Sequence, residues 1–283
     1  MSKIAIMTDS NSGITQAEGK QLGITVVPMP FTIDGEEYLE DITLSQQGFY
    51  EKLTDGANVS TSQPSIGLVT SIWDELLETH DSVVYIPMSS GLSESCHSAT
   101  LAAKANYDGK VFVVDNQRIS VTQKHSVFDA MELRDRGYSA KEIHDKLVEV
   151  KMQSDIFIML DTLKYLKKGG RIGAITATIG GILNIKPVVE IRSGEVKLIG
   201  KARGSKMGNN KLREKIKEYG GIDYSNPYAV AYSGLSDSLL RKYVEDSSDI
   251  CPNGEKLEFT LIGSTIGTHV GPGAIAVAFF AKE

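Results

Sequence analysis

The 283-residue chain has only two cysteines, Cys96 and Cys251, and no long apolar run. Two cysteines so far apart, without metal-ligand spacing, give neither a disulfide framework nor a zinc site and suit reduced thiols in a cytosol. The longest apolar run, Ala274 to Ala281, falls far short of the ~20 residues of a membrane-spanning helix. The opening MSKIAIMTDS turns polar after a five-residue run, too short for the apolar core of a signal peptide. The expectation is a cytoplasmic chain that is not an integral membrane protein. An excess of positive charge is missing too: 30 basic residues face 36 acidic ones, for a net charge of -6, which argues against nucleic acid as a partner. Nor is there a G-x-x-x-x-G-K-S/T loop, a G-x-G-x-x-G fingerprint or an H-E-x-x-H pair, so no cofactor and no metal are expected.

What is there is an ordinary globular composition, 41% apolar and 23% charged, long enough for two domains. The first half repeats strand, polar loop and helix. Lys3 to Met7 reads as a strand, Ile24 to Ile33 with the Asp34-Gly35 turn as a hairpin, and Ser82 to Met88 and Lys110 to Asp115 as further strands. From Ser65 to Thr79, Ile66, Val69, Trp73, Leu76 and Leu77 recur at helical spacing, with Pro64 just ahead. Gly137 ends a helix, and Ser139 with Glu142 forms a capping box that opens another. Alternating strands and helices of this kind build a parallel sheet.

Past Ser154 the grammar changes. Asp155 to Leu160 is a strand, followed by the basic stretch Lys164 to Arg171 and the glycine-broken Gly173 to Ile185. Pro187 to Ile191 and Val196 to Ile199 flank a Ser193-Gly194 turn, an antiparallel hairpin. Tyr228 to Tyr232, Leu257 to Ile262 and Ala274 to Ala281 read as strands, and Ser236 to Glu245 as a helix. The expected fold class is therefore α/β with two domains: residues 1–154, an N-terminal parallel-sheet βαβ domain, and residues 155–283, a C-terminal mixed or antiparallel α/β domain.

Ligands of parallel sheets bind beyond the carboxyl ends of the strands. The loops there are Thr8-Asp9-Ser10, Ser60 to Ser65, Ser89 to Ser95 and Asp115-Asn116, rich in hydroxyls and almost free of cations. Hydroxyls beside unpaired helix N–H groups suit an anion, and a singly charged carboxylate better than a polyphosphate, which recruits cations. The same hydroxyls also serve as helix caps with no ligand at all. Two glycine-dense stretches, Lys167-Lys168-Gly169-Gly170-Arg171 and Gly267 to Gly273 around His269, allow close backbone approach. Gly91-Leu92-Ser93-Glu94-Ser95 resembles a hydrolase nucleophile elbow, but Ser95 replaces the second glycine. A serine hydrolase using Ser93, or a regulatory module for another small carboxylate, remains an alternative.

Together, Thr8-Asp9-Ser10, Thr61-Ser62-Gln63-Pro64, Ser89-Ser90-Gly91-Leu92-Ser93, Val113-Val114-Asp115, Lys167 to Ile172, Lys186-Pro187 and His269 to Gly273 resemble the DegV family over essentially the whole chain. That resemblance implies a non-enzymatic, lipid-binding protein that holds a fatty acid between its domains. Some family members are the binding subunit of a bacterial fatty acid kinase, presenting the ligand to a separate ATP-dependent subunit that makes acyl phosphate for phospholipid synthesis. By resemblance, Thr61, Ser62 and Ser93 bind the carboxylate with His269 in the network, while Arg171 and Arg203 face the head group or the kinase. Glu94, beside this site, is expected to face solvent.

Overall fold

A computed structural model describes residues 2–172, 185–218, 228–249, 257 and 259–280. Residues 173–184 of the glycine-broken stretch, Cys251 and Ala281 lie outside these.

The expected parallel sheet forms from β1 (Ile4–Asp9), β2 (Thr25–Val27), β6 (Ser82–Ile86) and β7 (Val111–Val113), in the order β2-β1-β6-β7 and all parallel. Its strands are buried on both faces. Ile4, Ile6, Val84 and Ile86 pack with residues of α5 (Val121–Asp135) and α6 (Ala140–Glu149), in a core that α1 (Gln16–Leu22) borders. Ala5, Met7, Val83 and Tyr85 pack on the other side against Val69 and Trp73 of α3 (Ile66–Leu77) and Cys96 and Ala99 of α4 (Ser95–Asn106). Local signals explain the ends: Ser65 caps α3, and Ser139 and Glu142 complete a capping box on α6.

Ile24 to Ile33 is not one arm of a hairpin. Pro28 and Pro30 lack the N–H groups a ladder needs, and the run divides between two sheets. Its first part is β2. The second, β3 (Pro30–Ile33), forms the hairpin with β4 (Glu36–Leu39) through Asp34 and Gly35, both at positive φ. On its other side β3 pairs with β5 (Val59–Thr61). This three-stranded sheet, not foreseen from the sequence, buries Phe31, Ile33 and Val59 against Phe49, Tyr50 and Leu53 of α2 (Gln46–Thr54).

The second half supplies a mixed sheet, order β10-β9-β8-β13-β11-β12. Its strands are β8 (Ser154–Met159), β9 (Ile185–Arg192), β10 (Glu195–Arg203), β11 (Tyr228–Tyr232), β12 (Phe259–Leu261) and β13 (Ile275–Phe280); only the β11–β12 pair is parallel. The β9–β10 hairpin turns at Ser193 and Gly194, as their spacing predicts. Period-two alternation sorts the faces. Phe157, Met159, Val277 and Phe279 meet α8 (Gly204–Glu218) and α9 (Ser238–Glu245). Ile156, Ile158, Ala276 and Ala278 face the opposite side, where α5, α7 (Lys164–Lys168) and α10 (Ser264–Val270) lie. Helix α10 also packs on α2, β3 and β5, so it stands between the mixed sheet and the three-stranded one.

Candidate functional site

A cavity of about 310 Å³ opens where these units meet. Its wall is apolar in the interior: Met88, Ile119, Leu166, Ile191, Val196 and Ile266 line it, from six different segments. Its polar residues include Thr61, Ser62, Gln63, Ser93, Arg171, Thr265 and His269. The volume and the mix of apolar wall with a few convergent polar groups are those of a small-molecule site. A second groove of about 540 Å³ adjoins it, sharing Ser93, Glu94 and Arg171 and adding Lys197 and Gly194.

Five of the six residues singled out in the sequence line this cavity. Thr61 ends β5, and its Oγ1 lies 3.0 Å from His269 Nε2, joining residues 208 apart in sequence. Burial pushes the His269 imidazole down to about 4, and the positive charge of Arg171 adds to the effect, so the ring is neutral and carries one proton. Its Nδ1 has no partner among the described residues. Against that atom lies Gly169, where an added Cβ would stand 2.0 Å away, so glycine is required there. Buried unpaired N–H groups are rarer than unpaired acceptors, so the proton is assigned to Nε2, where it donates to Thr61 and frees the Thr61 hydroxyl hydrogen for a ligand.

Ser62 is exposed, with its backbone N–H donating to the Pro30 carbonyl at 3.3 Å. Ser93 donates to Ser95 Oγ at 3.0 Å while its own oxygen accepts the Ser95 backbone N–H at 3.2 Å. Arg171, exposed, donates to the carbonyls of Gly169 at 2.8 Å and Leu92 at 3.2 Å, which holds it over the Ser93 loop. Glu94 is exposed and lines both cavity and groove. Arg203, at the end of β10, is exposed and lines neither.

The other two loops, Thr8-Asp9-Ser10 and Asp115-Asn116, do not line the cavity. Thr8 donates to the Ile86 carbonyl at 2.7 Å, and Ser10 donates to Glu40 Oε2 at 2.6 Å. Asp9, raised by burial despite its hydrogen bonds, accepts the Met88 N–H at 2.7 Å and so fixes the start of the Ser93 loop. Asp115 accepts both the backbone N–H and, at 2.6 Å, the hydroxyl of Ser90. These groups hold the site from behind. Sequence reasoning missed Met29, Ile119, Thr265 and Ile266 in the wall, for which apolar or hydroxyl identity alone gives no signal. Gly169 lay in a stretch already marked as glycine-dense.

The geometry also bears on nucleophilic chemistry. That chemistry needs a base within hydrogen-bond reach of the hydroxyl. Among the described residues Ser93 bonds to Ser95, and His269 bonds to Thr61.

Fold and site together define a class: a mixed α/β protein with a parallel four-stranded sheet, a separate mixed sheet, and an apolar cavity with a hydroxyl-rich polar end. Residues 3–282 match the family described as "Uncharacterised protein, DegV family". The chain belongs to the DegV family. A DegV domain-containing protein of Deinococcus radiodurans is 34% identical over 281 residues, covering 97% of each chain. Among solved structures, a DegV family protein from Thermus thermophilus, described in terms of its fatty acid binding, superposes with a TM-score of 0.86 at 28% identity over 99% of each chain. DegV from Bacillus subtilis, described as a fatty acid binding protein, gives 0.84 at 29% identity over the full length of both. No helix among the described residues is long and apolar enough to cross a membrane.

Proposed function

We propose that this protein binds a long-chain fatty acid, with the acyl tail in the 310 Å³ cavity and the carboxylate at Thr61, Ser62 and Ser93, His269 orienting Thr61. The observation that carries the reading is an apolar cavity whose polar lining includes four neutral hydroxyls, Thr61, Ser62, Ser93 and Thr265, beside His269 and Arg171; relatives described as fatty acid binding proteins support it. At about 0.8 kcal/mol per buried methylene, the tail supplies most of the affinity and the hydroxyls fix orientation. Residues 1–154 and 155–283 act as the two halves of the clamp around it. The protein is a carrier, and a separate ATP-dependent kinase phosphorylates the ligand. Arg171, beside the carboxylate position, favours the added negative charge of an acyl phosphate, and Arg203 faces the kinase.

Mass spectrometry of the denatured, freshly purified protein tests the binding: close to one free fatty acid per chain is expected. Recovery of none, with no uptake of added palmitate or oleate, overturns it. The kinase step is tested by adding a purified fatty acid kinase catalytic subunit and ATP to the loaded protein. Acyl phosphate is expected, and its formation should fall in Arg171→Ala and Arg203→Ala.

A further inference from the structure

Helix α10 supplies Thr265, Ile266, His269 and Val270 to the cavity wall, so the seating of its first turn decides where the contact between His269 and Thr61 forms. The residue capping that helix is Gly263, which has no side chain to offer. Glu40, just after β4 and fully buried, takes the role from another part of the chain. One carboxylate oxygen accepts the Ser264 backbone N–H. The other accepts the Ser10 hydroxyl at 2.6 Å and the Thr265 hydroxyl at 3.4 Å. A Cβ added at Gly263 would lie 2.7 Å from Glu40 Oε1, so glycine there admits the carboxylate. Tyr50 of α2 donates to the Ile262 carbonyl at 2.7 Å, bracing the same approach.

We propose that Glu40 is the positioning residue of the head-group site, clamping the first turn of α10 so that Thr265 and His269 stand correctly in the cavity wall. The proposal rests on the fatty acid reading above, and Glu40 itself does not line the cavity.

The clamp depends on charge. Ionised, Glu40 accepts from three donors at the positive end of a helix; protonated, it must donate one hydrogen, and a hydroxyl contact reverses. Burial raises its carboxyl to about 7, against the opposing bonds from Ser10 and Ser264. The titratable groups around it are Asp9 from the end of β1, also raised by burial, and Tyr50 from α2, raised well above its ordinary value and itself influenced by Tyr232 of β11. Both tyrosines stay neutral. Folding stability and ligand affinity then respond to pH with opposite signs. Because the folded carboxyl lies above its ordinary 4.5, the unfolded chain loses its proton first as pH rises, and the Glu40 contribution to stability declines from about 4.5 to about 7. Affinity rises over the upper part of that window, as the clamp ionises. A residue acting only through stability moves both together.

The test compares delipidated full-length wild type with Glu40→Gln from about pH 6 to about 8.5. Palmitate affinity is read by calorimetry, and the Ser264 amide and His269 ring by nitrogen-15 NMR. Wild-type affinity is expected to rise roughly three- to tenfold across the range, and Glu40→Gln to be flat and about five- to tenfold weaker at the upper end. The proposal is overturned by a Glu40→Gln variant that binds like wild type or keeps its pH profile. It is equally overturned by a wild-type Ser264 amide that does not titrate in this range, a reading that decides the matter alone where the variant does not fold. A wild type that takes up no palmitate overturns the fatty acid reading instead, and the Ser264 amide titration still decides the clamp.

Discussion

Thr61 and Ser93 line the same cavity from different parts of the fold. Thr61, accepting from His269, keeps its hydroxyl hydrogen for an anion, whereas Ser93 gives its hydrogen to Ser95 and must turn from it to donate to a ligand. A hydrogen bond to a charged group contributes about 1.5–3 kcal/mol. Thr61→Ala and Ser93→Ala are therefore each expected to weaken palmitate binding roughly ten- to hundredfold, measured by calorimetry, with far-UV circular dichroism unchanged. Wild-type affinity with Ser93→Ala would remove this residue from the site. His269 adds a pH term of its own. Its folded imidazole, at about 4, lies below its ordinary 6.5, so as pH falls the unfolded chain takes up the proton first. The stability due to the buried neutral ring is complete above about 6.5 and is lost progressively toward about 4. The thermal midpoint should fall over that interval less steeply in His269→Gln than in wild type.

At the level of elements, the site depends on two close backbone approaches. At Gly169, just after α7, the missing side chain makes room for His269 of α10. Gly169→Ala forces the imidazole away from Thr61 and should lower palmitate affinity at least tenfold, an amount on the scale of one lost charged hydrogen bond. Gly170→Ala is the control: its Cβ meets nothing within 4 Å, but φ is +71°, so it should lower the thermal midpoint and leave affinity near wild type. Equal losses of affinity in both variants would contradict the role given to Gly169. The second approach joins the hairpin β9–β10 to the Ser93 loop, where a Cβ at Gly91 would lie 2.7 Å from the Gly194 carbonyl oxygen. Through it the hairpin that carries Ile191 and Val196 is seated beside the hydroxyls.

Across the whole molecule, the two larger sheets share helix α5, which packs on β1 and β6 and also on β13, β11 and β8, while α10 ties the mixed sheet to the three-stranded one. A ligand that fills the cavity touches all three sheet units and binds only the folded chain. Ligand in excess then adds stability by mass action, about 2.7 kcal/mol at one hundred times Kd. Removing the lipid by hydrophobic chromatography should lower the thermal midpoint by several degrees, and added palmitate should restore it. Unchanged midpoints after verified removal would exclude a ligand at the junction of the sheets.

Most strands, the helices α3 to α6 and α9 and the order of seven motifs were legible in the sequence because apolar period, caps and turn residues act over a few positions: Ser139 with Glu142, Ser65, and Ser193-Gly194 each behaved as local chemistry dictates. Strand β5 and helices α2, α7, α8 and α10 were not read there. Prolines 28 and 30 carried a local signal too, yet whether β3 would join the first sheet or begin another depended on partners far along the chain. The hydroxyl residues presented the sharper ambiguity. Thr8, Ser10, Thr61 and Ser93 look alike in sequence, each in a loop after a strand or at a strand end. Only the tertiary structure separated them, because a hydroxyl bonds to whatever donor or acceptor the fold brings within about 3 Å. For Thr8 and Ser10 that was the Ile86 carbonyl and Glu40, behind the site. Thr61 met His269, 208 residues away, in the wall of an apolar cavity.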